Sequence, residues 1–247
     1  MTSKTPAEIV LMKKAGEMTR NVLNYIKTLI EPGVSTAFLD EKAREYIENC
    51  GGKPSFLGYD GYPASICASV NAMVVHGIPS PEIILQEGDI ISIDVGVVYK
   101  GYNGDAARTF PVGKISPEKE RLIKVTEECF FEGIKQLKVG GRLGLLSHAI
   151  QEHAEKNGYS VVRELVGHGI GKRMHEPPNV PNYGRETDGP IIVNNATIAI
   201  EPMINMGKRD IAMLRDGWGI ITRDGLPSAH YENTVLITTE GIEILTL

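Results

Sequence analysis

The sequence predicts an α+β protein built as two pseudo-symmetric αβ halves, and three observations carry that prediction. Shifting the chain by 107 residues places Gly33 on Gly140, Leu39 on Leu146, Gly51 on Gly158 and Asp94 on Glu201. The order helix, glycine, helix, glycine, strand is thereby written twice, and each copy ends its strand core in a carboxylate. Both copies also open on a hydroxyl followed by proline, at Thr5-Pro6 and at Ser116-Pro117. The hydroxyl caps a helix, and proline suits the first helical position. The halves span about 1–115 and 116–247, joined without a Ser/Gly linker, and are expected to form a single domain over 1–247.

Thr5-Pro6-Ala7-Glu8 adds a glutamate three residues after the cap and predicts a helix reaching about Ile30, stopped at Glu31-Pro32-Gly33. Ser35-Thr36 opens a second helix, with apolar Leu39, Ala43, Tyr46, Ile47 and Cys50, ended by Gly51-Gly52. An irregular Gly-, Pro- and Tyr-rich stretch follows from Lys53 to Pro63. Ser65 to Val75 reads as a strand passing through a turn at Asn71, closed by His76-Gly77-Ile78-Pro79. From Gly88 to Val98 a Gly-Asp turn leads into a β-branched run, the mark of a buried strand. A Gly-Tyr-Asn-Gly-Asp bend ending at Asp105 then leads into its partner, up to Val112. After Ser116-Pro117-Glu118 comes a helix with Leu122, Val125, Cys129, Ile134 and Leu137, ending at Gly140-Gly141. Another, with Leu145, Leu146, Ala149, Ile150 and His153, ends at Asn157-Gly158. Strands are expected at Ser160 to Leu165, Ala196 to Pro202, His230 to Thr238 and Ile242 to Leu245.

Hydrophobic content of 42% and charged content of 23% are those of an ordinary globular protein. A net charge of −5 without a polybasic block argues against a protein devoted to gripping nucleic acid. Cys50, Cys67 and Cys129 fit neither a disulfide frame nor a cysteine zinc site, which points to a reducing compartment. Met1-Thr2-Ser3-Lys4 passes straight into a polar amphipathic segment, and no run approaches membrane-spanning length. A cytoplasmic protein is expected.

Asp94 lies in the middle of the buried run, and Asp105 follows eleven residues later. A lone ionised carboxylate there is expensive to desolvate, so it must be paired, hydrogen-bonded or bound to a metal. Arg108 offers an ordinary ion pair. Yet Ile198-Ala199-Ile200-Glu201-Pro202 puts another acid at the end of an apolar strand, and His230-Tyr231-Glu232-Asn233 puts one at the start of another. Neither Glu201 nor Glu232 has an adjacent basic residue. Gly167-His168-Gly169-Ile170-Gly171 and His175 add two imidazoles in a glycine-rich loop, where backbone can approach a ligand closely. Carboxylate and imidazole donors suit Mn²⁺, Fe²⁺, Co²⁺ or Zn²⁺, although one histidine is poor in nitrogen for a zinc site. Four carboxylates carry too much charge for one divalent ion but balance two, which two-metal hydrolases hold about 3.5–4 Å apart. The residues alone leave other readings open: separate buried acids each with its own arginine, a hydrogen-bonded core His168, a turn histidine at His76, and core packing for Cys67 and the aromatics.

Taken together, Asp94, Asp105, Gly-His168-Gly-Ile-Gly, Glu201-Pro-Met and Glu232-Asn-Thr resemble, in order and approximate spacing, the five metal ligands of methionine aminopeptidases. The resemblance covers nearly the whole chain and extends to Leu57-Gly58-Tyr59-Asp60-Gly61-Tyr62-Pro63, Val75-His76-Gly77-Ile78-Pro79 and Gly217-Trp218. It implies a pita-bread (creatinase/aminopeptidase-like) fold, with the two halves around a central, mainly antiparallel curved sheet forming one catalytic domain. Only thirty residues separate Glu201 from Glu232 and no long N-terminal extension is present, which resembles the type I form.

That resemblance further implies two divalent ions (Co, Fe, Mn, Zn or Ni). Asp105 and Glu232 would bridge them, Asp94 would chelate one, and His168 and Glu201 would complete the other. Glu201 would move a proton from the attacking water to the leaving amine, His175 would stabilise the developing oxyanion, and His76 would hydrogen-bond the scissile amide. Phe56, Tyr59, Tyr62, Cys67 and Trp218 would wall an apolar pocket for methionine, with a tight wall restricting the second residue to small side chains. Met174 stands where some members carry an aromatic, and Phe56 where many carry a smaller residue. Implied partners are N-terminal methionyl peptides and nascent chains at the ribosome, handled by a monomer with no nucleic-acid site and no membrane contact. Two other readings suit the same motifs. A proline-directed aminopeptidase or dipeptidase of the same fold usually carries an additional N-terminal domain. A non-catalytic protein- or RNA-binding member characteristically loses metal ligands, and all five are kept here.

Overall fold

A capping box starts helix α1 (Pro6–Lys27): the Glu8 N–H donates to Thr5 Oγ1, and the Thr5 N–H donates back to the Glu8 carboxylate at 2.8 Å. The computed structural model describes residues 1–247. It orders them as α1, α2 (Thr36–Asn49), β1 (Lys53–Pro54), β2 (Ile66–Val70), β3 (Met73–Val75), β4 (Ile90–Tyr99) and β5 (Tyr102–Pro111). Then come α3 (Pro117–Ile134), α4 (Gly144–Lys156), β6 (Ser160–Val161), β7 (Gly167–Gly169), β8 (Glu176–Val180) and β9 (Ala196–Ile200). Strands β10 (Met203–Asn205), β11 (Ile211–Met213), β12 (Ile220–Thr222), β13 (Ser228–His230), β14 (Asn233–Thr238) and β15 (Gly241–Ile244) complete the chain. No helix is long and apolar enough to cross a membrane.

Every strand pairing is antiparallel. Strand β4 pairs with β1, β2 and β5, while β15, β14, β9, β7 and β8 lie side by side in a second sheet. Alternation decides which side chains face the helices and which face inward. On β4, Ile91, Ile93, Val95 and Val97 are buried with Val22, Ile26, Leu39 and Ile47 of α1 and α2; each such burial is worth about 1.5–3 kcal/mol. Ser92, Asp94 and Gly96 therefore project from the opposite face. On the second sheet, Ile198, Ile200, Val235 and Ile237 pack with Leu122, Phe130, Leu146 and Ile150 of α3 and α4. Glu201 and Glu232 keep to the other face. Gly104 lets α1 lie directly on β5, since a Cβ there would stand 2.8 Å from Ala15 C and Gly16 N.

The sheets are joined where β5 meets the start of β14. The Glu232 N–H donates to the Ala107 carbonyl at 2.9 Å and the Ala107 N–H to the Glu232 carbonyl at 3.3 Å. Thr234 Oγ1 accepts from the Asp105 N–H and donates to the Asp105 carbonyl, each at 3.0 Å. The entries to α2 and α4 share a lock. Gly33 N–H to Leu85 O (2.8 Å) and Leu85 N–H to Val34 O (2.8 Å) recur 107 residues on as Gly140 N–H to Ile192 O (2.9 Å) and Ile192 N–H to Gly141 O (2.9 Å). The bridges Ser35–Ile84 and Arg142–Ile191 repeat at the same offset.

Several boundaries differ from the sequence expectation. Helix α1 stops at Lys27, with Thr28 at its C-cap, where the Thr28 hydroxyl donates to Tyr25 O at 2.7 Å. Helix α3 ends at Ile134, six residues before Gly140. Ser160–Leu165 keeps only Ser160–Val161 as strand. Asp105 is not in a bend: Lys100 and Gly101, at φ 47° and 82°, close a tight hairpin, so the strand resumes at Tyr102. His168 lies on strand β7 rather than in a loop, because Gly167 and Gly169 let it pack against β8 and β9.

Candidate active site

All twelve side chains singled out from the sequence line one cavity of about 220 Å³, with Asp60 as the only other residue on its wall. Asp94 on β4 is opposite Ala107, and Gly96 is opposite Asp105. The two acids are therefore diagonal neighbours on one face of a hairpin. Glu201 follows β9 directly and Glu232 precedes β14, and Asn233 is paired with Ile200. The second sheet thus brings its own acid pair to the seam. Asp94 Oδ1, Asp105 Oδ1 and Glu232 Oε1 are buried with no hydrogen-bond partner in the protein.

Burial raises the proton affinity of all four carboxyls. It holds Asp105 at about 7, and with the charge of Asp105 nearby it pushes Asp94, Glu201 and Glu232 well above the carboxylate range. Arg108 relieves them little: its charge favours ionised Glu232, but burial and the neighbouring acids outweigh it. Period-2 alternation turns it to the other face of β5, where its guanidinium stacks 4.1 Å over the Tyr231 ring. It donates there to the backbone carbonyls of Ala107 and Glu232 and to Asn233 Oδ1. What remains is a nest of oxygen donors without a counter-ion, which a divalent cation fits.

His168 is oriented for the same task. Its Nδ1 is 2.9 Å from Gly169 O, and a carbonyl only accepts, so Nδ1 carries the proton. The Nε2 lone pair is left facing Asp105 Oδ2 and Glu201 Oε1, each at 3.7 Å. Burial lowers its pKa to about 4, keeping the ring neutral and fit to ligate. His175 lies edge-on to it, with ring centroids 4.3 Å apart, and its Nδ1 is 2.7 Å from the Tyr59 hydroxyl. His76 occupies the left-handed region at φ 58°, a strained position for a residue with a side chain.

Beside the acids is an apolar recess. Cys67 is buried and in register with Asp94 across the β2–β4 pair. The Tyr62 hydroxyl donates to Ile66 O and Gly77 O, fixing its ring edge-on to Trp218 with centroids 5.0 Å apart. Phe56 packs against Tyr62 and Cys67. Gly96 keeps the recess open to Phe56, whose Cε1 would lie 2.8 Å from a Cβ at that position.

One neighbour of the cluster was missed. His230 is 2% exposed, its Nε2 is 3.7 Å from Glu232 Oε2, and burial lowers its pKa to about 3. The available signal was its position two residues before Glu232.

The Metallopeptidase family M24 model matches residues 10–239. The methionine aminopeptidase of Clostridium acetobutylicum is 51% identical over 244 residues, which are 99% of this chain and 98% of that one. The chain belongs to the methionine aminopeptidases of this family. The solved methionine aminopeptidase of Thermotoga maritima matches with a TM-score of 0.98 and 44% identity, covering 100% of this chain and 99% of that one. A prolidase from Pyrococcus furiosus, at 24% identity and a TM-score of 0.81 over 99% of this chain and 65% of that one, shares the fold. Membership of a methionine aminopeptidase family of metallopeptidases, and with it divalent-metal use, accounts for the uncompensated acids at the seam.

Proposed function

We propose that the chain hydrolyses the first peptide bond of proteins and peptides beginning with methionine, preferring a small second residue. The observation that carries this reading is the convergence of Asp94, Asp105, Glu201, Glu232 and His168 on one cavity that continues into an apolar recess. The five residues would hold two divalent ions, drawn from Co, Fe, Mn, Zn or Ni. When bound, these ions supply a water that is nucleophilic near neutral pH and polarise the scissile carbonyl.

The chain's own groups do the rest. Glu201 accepts the proton from the attacking water and delivers it to the leaving amine. With the Tyr59 hydroxyl, 2.7 Å from His175 Nδ1, acting as the donor of that bond, Nε2 carries the ring hydrogen and donates it to the oxygen gaining charge. His76, on the cavity wall, hydrogen-bonds the scissile amide. Phe56, Tyr59, Tyr62, Cys67 and Trp218 enclose the methionine side chain, where sulfur–aromatic contacts favour a thioether. In this reading residues 1–115 and 116–247 act as one catalytic domain, a monomer working in the cytoplasm on nascent chains at the ribosome.

Peptide cleavage tests the proposal. Protein loaded with Co²⁺ or Mn²⁺ is expected to release methionine from Met-Ala-Ser and to leave Ala-Pro-Ser intact. Cleavage of Ala-Pro-Ser with Met-Ala-Ser untouched would establish the proline-directed alternative, and no cleavage of either would favour the non-catalytic one.

A further inference from the structure

We infer that His230 is a sixth donor to the cation centre, a nitrogen ligand on the side formed by Asp94 and Glu232. The inference deepens the two-cation reading and rests on it. Both ring nitrogens of His230 are buried and neither has a partner in the protein. Buried polar groups are nearly always satisfied, so an imidazole with two orphaned nitrogens points to a missing ion or water. Its surroundings favour the ion. Donor atoms of Asp94, His230 and Glu232 all lie within 4.8 Å of one another.

The comparison with His168 is quantitative. His230 Nε2 is 3.7 Å from Glu232 Oε2, and His168 Nε2 is 3.7 Å from Asp105 Oδ2 and from Glu201 Oε1. Two donors each about 2.1 Å from one ion stand at most roughly 4.2 Å apart, so both spacings suit a shared cation. The backbone leaves the ring little freedom to look elsewhere. The His230 N–H donates to Thr109 Oγ1 at 2.8 Å, and its carbonyl accepts from the same hydroxyl at 2.9 Å. Strand β13 pairs Met203 with His230 as well. Each ion would then have one imidazole: His168 for the Glu201 side and His230 for the Asp94 side.

Cobalt K-edge X-ray absorption on protein carrying two Co²⁺ per chain counts imidazoles through their outer-shell scattering. Two imidazoles per chain are expected, one in His230→Gln and in His230→Asn, and one in His168→Ala. A wild-type count of one, unchanged in both His230 variants, would overturn the inference. Hydrolysis of Met-Ala-Ser by the same samples separates the two readings. Two bound cobalts with turnover but a single imidazole sink the His230 ligand alone, whereas failure to bind cobalt sinks the metallopeptidase reading with it. Circular dichroism of the metal-free variants checks that the fold is kept.

Discussion

The two stretches of chain that enter α2 and α4 are locked by the same backbone hydrogen bonds 107 residues apart, yet what each half brings to the cavity is different. Residues before 115 contribute Asp94 and Asp105, together with Phe56, Tyr59, Tyr62 and Cys67. Those after 116 contribute His168, His175, Glu201, Glu232 and Trp218. Each half thus brings two carboxylates, but most of the apolar wall comes from the first and most of the imidazoles from the second. Even the corresponding acids differ: Asp94 is inside a ten-residue strand, while Glu201 stands just past the end of a five-residue one. Repetition is kept where it builds the frame and abandoned where side chains meet the ligand. A duplicated frame supplies two inward faces at a seam, and divergence there gives the seam unlike donors.

Removing the acid at the seam is the most severe way to break this division. Asp105 is bonded through its backbone to Thr234 of the other half and carries an orphaned oxygen. We expect Asp105→Asn to lower turnover by roughly 10³-fold or more, as losses of groups acting in a unit do. Bound metal, measured by elemental analysis after dialysis, should fall with it. A variant that keeps wild-type metal content would show that the two halves do not share a cation through Asp105.

A pH series on metal-free protein probes the same seam more gently. Burial raises the folded pKa of all four acids above their unfolded values, Asp105 to about 7. The folded state therefore binds more protons than the unfolded one between about pH 4 and 7, and stability must fall as pH rises through that window. In EDTA we expect Tm to be higher at pH 5 than at pH 8, by an amount on the order of a few kcal/mol in stability. Saturating Co²⁺ should remove or reverse the slope. A metal-free Tm that climbs from pH 5 to pH 8 would mean that the acids do not crowd one another in solution.

How legible all this was in the sequence depended on how local the signal is. Asp94, Glu201 and Glu232 were visible because an acid interrupting or ending an apolar run is anomalous in place. Asp105 reads from sequence as the end of a bend, since Gly-Tyr-Asn-Gly has turn composition, whereas the hairpin is closed by Lys100 and Gly101. His168 reads as a loop residue for a similar reason. Its flanking glycines serve close strand packing, and a Cβ on Gly169 would stand 2.5 Å from Pro177 O. Strands β10 to β13 are three residues each, too short for any period to register. His230 belongs to no motif, and only its place two residues from Glu232, with the surrounding burial, marks it.

The shared helix starts offer the mildest test of the comparison, and they concern frame alone. Thr5-Pro6 and Ser116-Pro117 look alike in sequence but are unequal in the fold. Thr5 joins a reciprocal capping box in which the Glu8 carboxylate accepts from the Thr5 N–H and from the Tyr102 hydroxyl, holding its pKa down at about 2. At the third helical position after Ser116 is Lys119, which cannot reciprocate, and its N–H reaches Ser116 Oγ at 3.4 Å. Thr5→Ala is expected to cost about 1 kcal/mol in urea unfolding, and Ser116→Ala about half as much. Neither helix start lines the cavity, so both variants should keep wild-type kcat. Equal losses at the two sites would mean that Glu8 adds nothing to its cap, and that this part of the frame is as symmetric as the sequence makes it look.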